Sequence, residues 1–206
     1  GSFRLESHGV DLPNEIAIIN RAELSDTHVQ LLLNDTTATP KDTAQSEVRW
    51  KVDLRHLKLK NVSFSMQLPA DSMRLAAHVE EAQVNDAEAD LKNLHYGLRS
   101  FLVSGTSVNY DVGTAEPAEG FDPSHIALRD IRIGLDSMYY RGRNMNAVIR
   151  EFSMNDRSGL SVTSLTGRVF ANDTIIQVPS LKLLTPHSEM DLTAQTYWEL
   201  VNIPTT

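Results

Sequence analysis

Ile126-Ala-Leu-Arg-Asp-Ile-Arg-Ile-Gly-Leu-Asp-Ser-Met-Tyr-Tyr140 is the stretch whose reading decides the fold. Its apolar residues stand at Ile126 and Leu128, then Ile131, Ile133 and Leu135, then Met138 and Tyr140. Within each group they alternate as on a half-buried strand, and between groups the step is three residues instead of two. In a flat strand such a step throws every later apolar residue onto the opposite face. The chain must therefore bulge, bend or turn at each slip to keep one face buried. The expected product is a curved sheet with one apolar face.

The same figure recurs. Leu54-Arg-His-Leu57, Leu91-Lys-Asn-Leu94 and Leu128-Arg-Asp-Ile131 are spaced 37 residues apart, and a looser copy, Val162-Thr-Ser-Leu165, follows after 34. A fixed period of this size marks a stacked repeat, in which each unit covers its neighbour's apolar face. From Val48 the alternation is long: Val48, Trp50, Val52, Leu54, a slip, Leu57, Leu59, a slip, Val62, Phe64, Met66 and Leu68, ended by Pro69. Met73–Leu91 is rich in Ala and Glu, which favour helix intrinsically. Its Leu75, Ala77, Val79, slip, Ala82, Val84, slip, Ala87, Ala89 and Leu91 nevertheless repeat the strand figure, and the segment is read as strand. Short strands are expected around Glu15–Arg21 and Thr27–Leu33, surface loops at Asn34–Ser46 and Gly113–Pro123, and a tight turn at Asn155–Gly159. No linker divides the array, so residues 1–206 are read as a single β repeat domain.

Composition excludes several classes. Acidic residues number 27 against 19 basic, for a net charge of −8 and a pI near 5.3, which opposes a polyanionic backbone; nucleic acid is not an expected partner. Cysteine is absent, removing disulfide and thiolate chemistry. The longest apolar runs, Ile16–Ile19 and Leu31–Leu33, fall far short of the ~20 residues that span a bilayer, so no transmembrane segment is expected. Gly1-Ser2 reads as a cleavage scar behind which a native segment has been removed.

The candidates for chemistry have plainer readings. His187-Ser188-Glu189 supplies triad residue types, but successive strand residues point to opposite faces and cannot converge. The histidines at 8, 28, 56, 78, 95, 125 and 187 form no metal-type pair and are read as surface residues. Glu80, Glu81, Asp86, Glu88 and Asp90 lack the spacing and glycine of a calcium loop and are read as a solvated strand face. Arg141-Gly-Arg143 could grip a phosphate, and is read as a hairpin turn. No catalytic residue, metal or cofactor is expected, and the chain is not read as an enzyme.

Four groups of residues carry a resemblance: Trp50-Lys-Val52-Asp-Leu54, Phe121-Asp-Pro-Ser-His125-Ile-Ala-Leu128, Ser158-Gly159-Leu160 and Leu184-Thr185-Pro186-His-Ser188. Together they resemble the TamB-like translocation and assembly module proteins of the Bacteroidota, within the AsmA-like group, best over residues 48–194. The resemblance implies an internal section of a very long periplasmic protein of a Gram-negative bacterium, anchored in the inner membrane and reaching the outer membrane. It implies a β-taco, a sheet folded into a U with an apolar inner wall, that moves phospholipid between membranes or supports outer-membrane protein assembly. A barrel assembly partner would bind through parts outside this section. Asp42-Thr-Ala44, Asp71-Ser-Met73, Asp136-Ser-Met138 and Asp173-Thr-Ile175 also resemble the O-glycosylation triplet of that phylum's periplasmic proteins.

The expected fold is therefore all-β: a curved or U-shaped, mostly antiparallel repeat sheet with an apolar inner face. A parallel β-helix is the alternative, because strand, slip, strand also describes a rung. The expected wall for phospholipid acyl chains is Leu57, Leu59, Val62, Phe64, Leu94, Leu98, Phe101, Ile131, Ile133, Leu135, Leu165, Leu181 and Leu183. The competing function is a structural or adhesin-like β binding module with a closed core.

Overall fold

The structure, a computed structural model, describes residues 1–32, 49–69 and 72–200; the loop expected at Asn34–Ser46 lies outside them. Eleven strands form one open sheet: β1 (Ser2–Asp11), β2 (Ile16–Leu32), β3 (Lys51–Leu68), β4 (Met73–Asp90), β5 (His95–Val112), β6 (His125–Arg141), β7 (Asn144–Asp156), β8 (Ser161–Val162), β9 (Ser164–Ala171), β10 (Ile175–Leu184) and β11 (Glu189–Tyr197). Spatial order follows chain order, with the two-residue β8 set aside against the end of β7. Every neighbouring pair is antiparallel except β2 and β3, which run parallel. The fold is all-β and mostly antiparallel, and the parallel β-helix is excluded, since a rung-by-rung coil would make every ladder parallel.

Met73–Asp90 is strand, as its pattern requires. Helix propensity separates residue types by well under 1 kcal/mol per position, and β4 is paired along its length on both sides, to β3 and β5. The two short strands expected at the N-terminus are one strand, β2, and β1 precedes it. Gly142-Arg143 closes a two-residue hairpin between β6 and β7, with Gly142 at φ 63°.

The slips line up from strand to strand: the β2–β3, β3–β4 and β4–β5 ladders keep their register through them, an irregular residue on one strand facing one on the next, while β5–β6 and β6–β7 shift register there as at a bulge. One line passes through Asp26 (φ 50°), Asn61 (φ 51°), Gly105 (φ 59°) and Asp130 (φ 55°). These are the residue types that enter the left-handed region at least cost. Side chains stitch the line laterally: Asn61 Nδ2 donates to Asp26 Oδ1 at 2.8 Å, and Asn155 Nδ2 to Asp130 Oδ2 at 3.1 Å. At Gly105 a Cβ would collide with the Glu80 carboxylate, so glycine is needed for space as well as for its φ. A second line passes Arg55, Asp86 (φ 47°), Arg99 and Asp136, where Arg99 pairs with Asp86 at 2.6 Å. Each irregular step bends the strand, and two aligned lines of them curve the sheet.

The 37-residue figure has two structural meanings. Leu54–Leu57 straddles a kink in β3 that leaves its ladders in register, and Leu128–Ile131 a bulge in β6, whereas Leu91–Leu94 is the β4–β5 turn. Asp90 caps that turn, accepting from Asn93 N at 3.0 Å and Asn93 Nδ2 at 2.8 Å. Asp11 and Asn14 make the same pair of bonds at the β1–β2 turn, at 3.2 and 2.7 Å. The motif is thus a turn at Leu91–Leu94, an irregular step within a strand at Leu54–Leu57 and Leu128–Ile131, and the β8–β9 junction at Val162–Leu165, and Leu94 is withdrawn from the expected wall. It sits in the turn at φ 54° and is 56% exposed.

Candidate functional site

Following the ladders sideways turns the strand alternation into rows. One row reads Leu5, Ala22, Leu57, Val84, Phe101, Leu135, Ile149, Gly167, Leu181, Leu192, apolar across all ten strands of the path. Beside it run Phe3, Leu24, Leu59, Ala82, Val103, Ile133 and Phe152. Nearer the β4–β5 turn lie Val10, Ala17, Val52, Ala89, Tyr96, Tyr140, Met145, Ala171 and Ile176. Tyr96 and Tyr140 stack there at 6.3 Å. Toward the opposite rim come Val29, Phe64, Ala77, Val108 and Leu128, then Leu31, Met66, Leu75, Tyr110 and Ile126. Because the slips align, no row changes face at a slip.

All the expected wall residues except Leu94 lie on this face. Leu57, Phe101, Leu135 and Leu181 share the first row, Leu59 and Ile133 the second, and Leu165 pairs with Leu183 at the same depth on β9 and β10. Val62, Phe64, Leu98 and Ile131 occupy neighbouring rows. Val62, Ala82, Val103 and Ile131 flank the first line of slips at 6–7% exposure, and Ala171 on β9 is wholly covered. No large side chain among the described residues is fully buried, because one layer of sheet has nothing packed over it. At the two edges the face is open, with Phe3 69%, Leu5 51%, Met190 45% and Leu192 38% exposed. Two polar atoms on the face, Thr106 Oγ1 and Asp156 Oδ1, have no hydrogen-bond partner. The other oxygen of Asp156 accepts from Ser158 N, and hydrogen bonding by Ser158 holds this carboxyl below its ordinary range.

The opposite face is polar and internally neutralised. Glu81 meets Lys58 at 3.6 Å, Asp86 meets Arg99, Glu88 meets Arg141 at 2.8 Å and Asp90 meets Lys51 at 3.5 Å. The acidic run is thus a strand face spent on cross-strand pairs, each worth at most about 1 kcal/mol in water. A groove of about 890 Å³ follows the second line of slips, lined by the polar-face row Ile18, Asp53, Glu88, Gly97, Tyr139 and by the neighbouring row Leu54, Ala87, Leu98, Met138. Its charges include the paired Asp86, Arg99 and Glu88, and its Ser137 hydroxyl accepts from Asn146 Nδ2 at 3.4 Å. We therefore place the candidate site on the apolar face.

His187 N bonds Thr185 Oγ1 at 3.3 Å in the turn before β11, and Glu189 pairs with Lys182 at 2.8 Å, so the triad-like trio does not converge. Arg141 ends β6 and Arg143 lies in the hairpin turn, as expected, Arg143 standing over Trp198 at 5.8 Å. One histidine departs from the surface reading: His125 is 8% exposed, its Nδ1 2.9 Å from Asp122 Oδ2. Asp122 accepts from Ala118 N and Ser124 N at 3.0 and 2.9 Å, and these bonds, with His125, hold its carboxyl down to about 2. The Phe121-Asp-Pro-Ser-His125 motif is a structural lock for the β5–β6 connection. Its signal was the Asp-x-Ser-His spacing, which places a carboxylate within reach of the next turn. Of the glycosylation-like triplets, Thr174 is exposed in the β9–β10 turn and Ser137 is half-buried in β6; the other two include residues outside those described.

No family model, curated protein or solved structure matches this chain significantly. The functional reading consequently rests on the residues themselves and on the resemblance they carry. Among the described residues no helix is long and apolar enough to cross a membrane.

Proposed function

We propose that this chain is a section of a TamB-like periplasmic bridge, in which the apolar face is a trough that carries phospholipid acyl chains between the inner and outer membranes or supports outer-membrane protein assembly. The carrying observation is the row that stays apolar from Leu5 to Leu192 without a charged residue. An acyl chain asks for little more than continuity, since each methylene moved from water to such a surface gains ~0.8 kcal/mol and no nucleophile, metal or anchor point is needed. A headgroup can remain in solvent at the rim. The competing reading, an adhesin-like module with a closed core, requires a second layer over the apolar face; a single open sheet supports the trough instead. Purified protein extracted into organic solvent and analysed by lipid mass spectrometry tests the proposal. Co-purifying phospholipid near stoichiometry is expected. Lipid-free preparations that also fail to take up fluorescent phospholipid from vesicles would leave the structural module as the better account.

A further inference from the structure

The two edges of the sheet match one another. β1 and β11 close opposite ends of the strand order, and with one parallel joint and otherwise alternating neighbours they run in the same direction. They also span the same levels: the ladder from Leu5 ends at Leu192 and the ladder from Val10 ends at Thr196. Counting back along each strand, Arg4 falls level with Asp191 and Phe3 with Met190. The one extra residue β1 carries over this span is absorbed by its bulge at Glu6–Gly9.

Both edges are accessible. β1 is exposed throughout and β11 at all positions but Thr196, and neither strand contains proline or an apolar-face charge. The sheet, moreover, already contains the joint such edges would make: β2 and β3 pair in parallel, and every apolar row passes through them unbroken.

We propose that this chain self-associates head to tail, β11 of one copy adding in parallel to β1 of a second copy. Leu192 then sits beside Leu5, Met190 beside Phe3, and the Asp191 carboxylate, 3.9 Å from Lys182 within its own copy, beside the 60% exposed Arg4 guanidinium, which pairs with Glu6 within its own copy. Such a contact is heterologous, so copies add in series. The apolar face continues across every joint.

The chain has no cysteine, so engineered pairs report cleanly. A Leu5→Cys/Leu192→Cys variant, oxidised in dilute solution, should give a ladder of disulfide-linked multimers, because adjacent strands put the two Cα atoms within bridging range. A Val10→Cys/Leu192→Cys control, out of level, should remain unlinked. In sedimentation velocity the unmodified chain should associate with rising concentration, Arg4→Glu should weaken this by roughly tenfold, and Arg4→Glu/Asp191→Arg should restore it. Circular dichroism of each variant verifies that the sheet is intact. A single monomeric boundary at all concentrations, linkage of Leu5→Cys alone, or equal linkage by the out-of-level pair would each overturn the proposal. None of these outcomes bears on whether one copy holds lipid.

Discussion

Ile133→Asp separates a trough from a core. Ile133 is half-buried, with Val103 and Phe152 as its lateral neighbours and Ile131 and Leu135 on the same face of its own strand. Full burial of an isoleucine is worth about 1.5–3 kcal/mol, so a half-buried one forfeits roughly 1–1.5. A carboxylate there keeps part of its hydration, which holds its penalty to about 1 kcal/mol instead of the several that an enclosed charge costs. The sum, about 2–2.5 kcal/mol, corresponds to a melting temperature lower by roughly 4–10 °C for a chain of this size. Ile131, 7% exposed, is the internal comparison: Ile131→Asp should be molten or insoluble. The assay combines thermal circular dichroism with phospholipid uptake from vesicles. We expect Ile133→Asp to keep its β spectrum and lose most of its lipid. A folded variant with undiminished lipid uptake would refute the assignment of this face as the wall, and an unfolded one would mean that the face is a closed core.

Three further outcomes follow from particular residues. Gly105→Ala, which adds a Cβ at φ 59° where the Glu80 carboxylate lies, should destabilise by more than the ~1 kcal/mol of a left-handed alanine alone, read as a clear fall in melting temperature. Leu94→Gly relieves a left-handed leucine in an exposed turn and should raise stability by about 0.5–1 kcal/mol while leaving lipid uptake unchanged; loss of uptake would return Leu94 to the wall. Asp122, held at about 2 against an ordinary 3.8, contributes stability that is present above about pH 4 and lost as pH falls toward 2. Melting temperatures between those values should therefore decline more steeply for the natural chain than for Asp122→Asn, and parallel slopes would remove Asp122 from the account.

The curved one-faced sheet was legible because its two signals are local. Alternation fixes which residues share a face, and Asp or Asn at the slips supplies the backbone that absorbs a slip. Twelve of the thirteen residues expected for the wall share the apolar face, as that pattern requires, and the thirteenth lies off it for a specific reason. Leu91-Lys-Asn-Leu94 has the same spacing as a slip, and only the Asp90–Asn93 pair, repeated at Asp11 and Asn14, marks it as a turn. β1 was missed because its bulge at Glu6–Gly9 interrupts the alternation between Leu5 and Val10. The parallel β2–β3 joint and the level match of β1 with β11 are properties of the whole ladder, and no local window contains them. His125 was misread since burial of a short polar motif depends on where the β5–β6 connection folds back.

The aligned slips have a mechanical consequence. A flat sheet is a thin ribbon that flexes easily about the strand direction, whereas a ribbon creased lengthwise resists such flexing, as a folded plate does, because material is moved away from the neutral plane. The two lines from Asp26 to Asp130 and from Arg55 to Asp136 are such creases, and each is laced by lateral bonds, Asn61 to Asp26 and Arg99 to Asp86. They divide every long strand into panels that can open or close about the crease while the ladders between strands stay paired. Stiffness along the array and compliance across it come from the same residues, so a chain of this design can stay straight over many strands while adjusting its width.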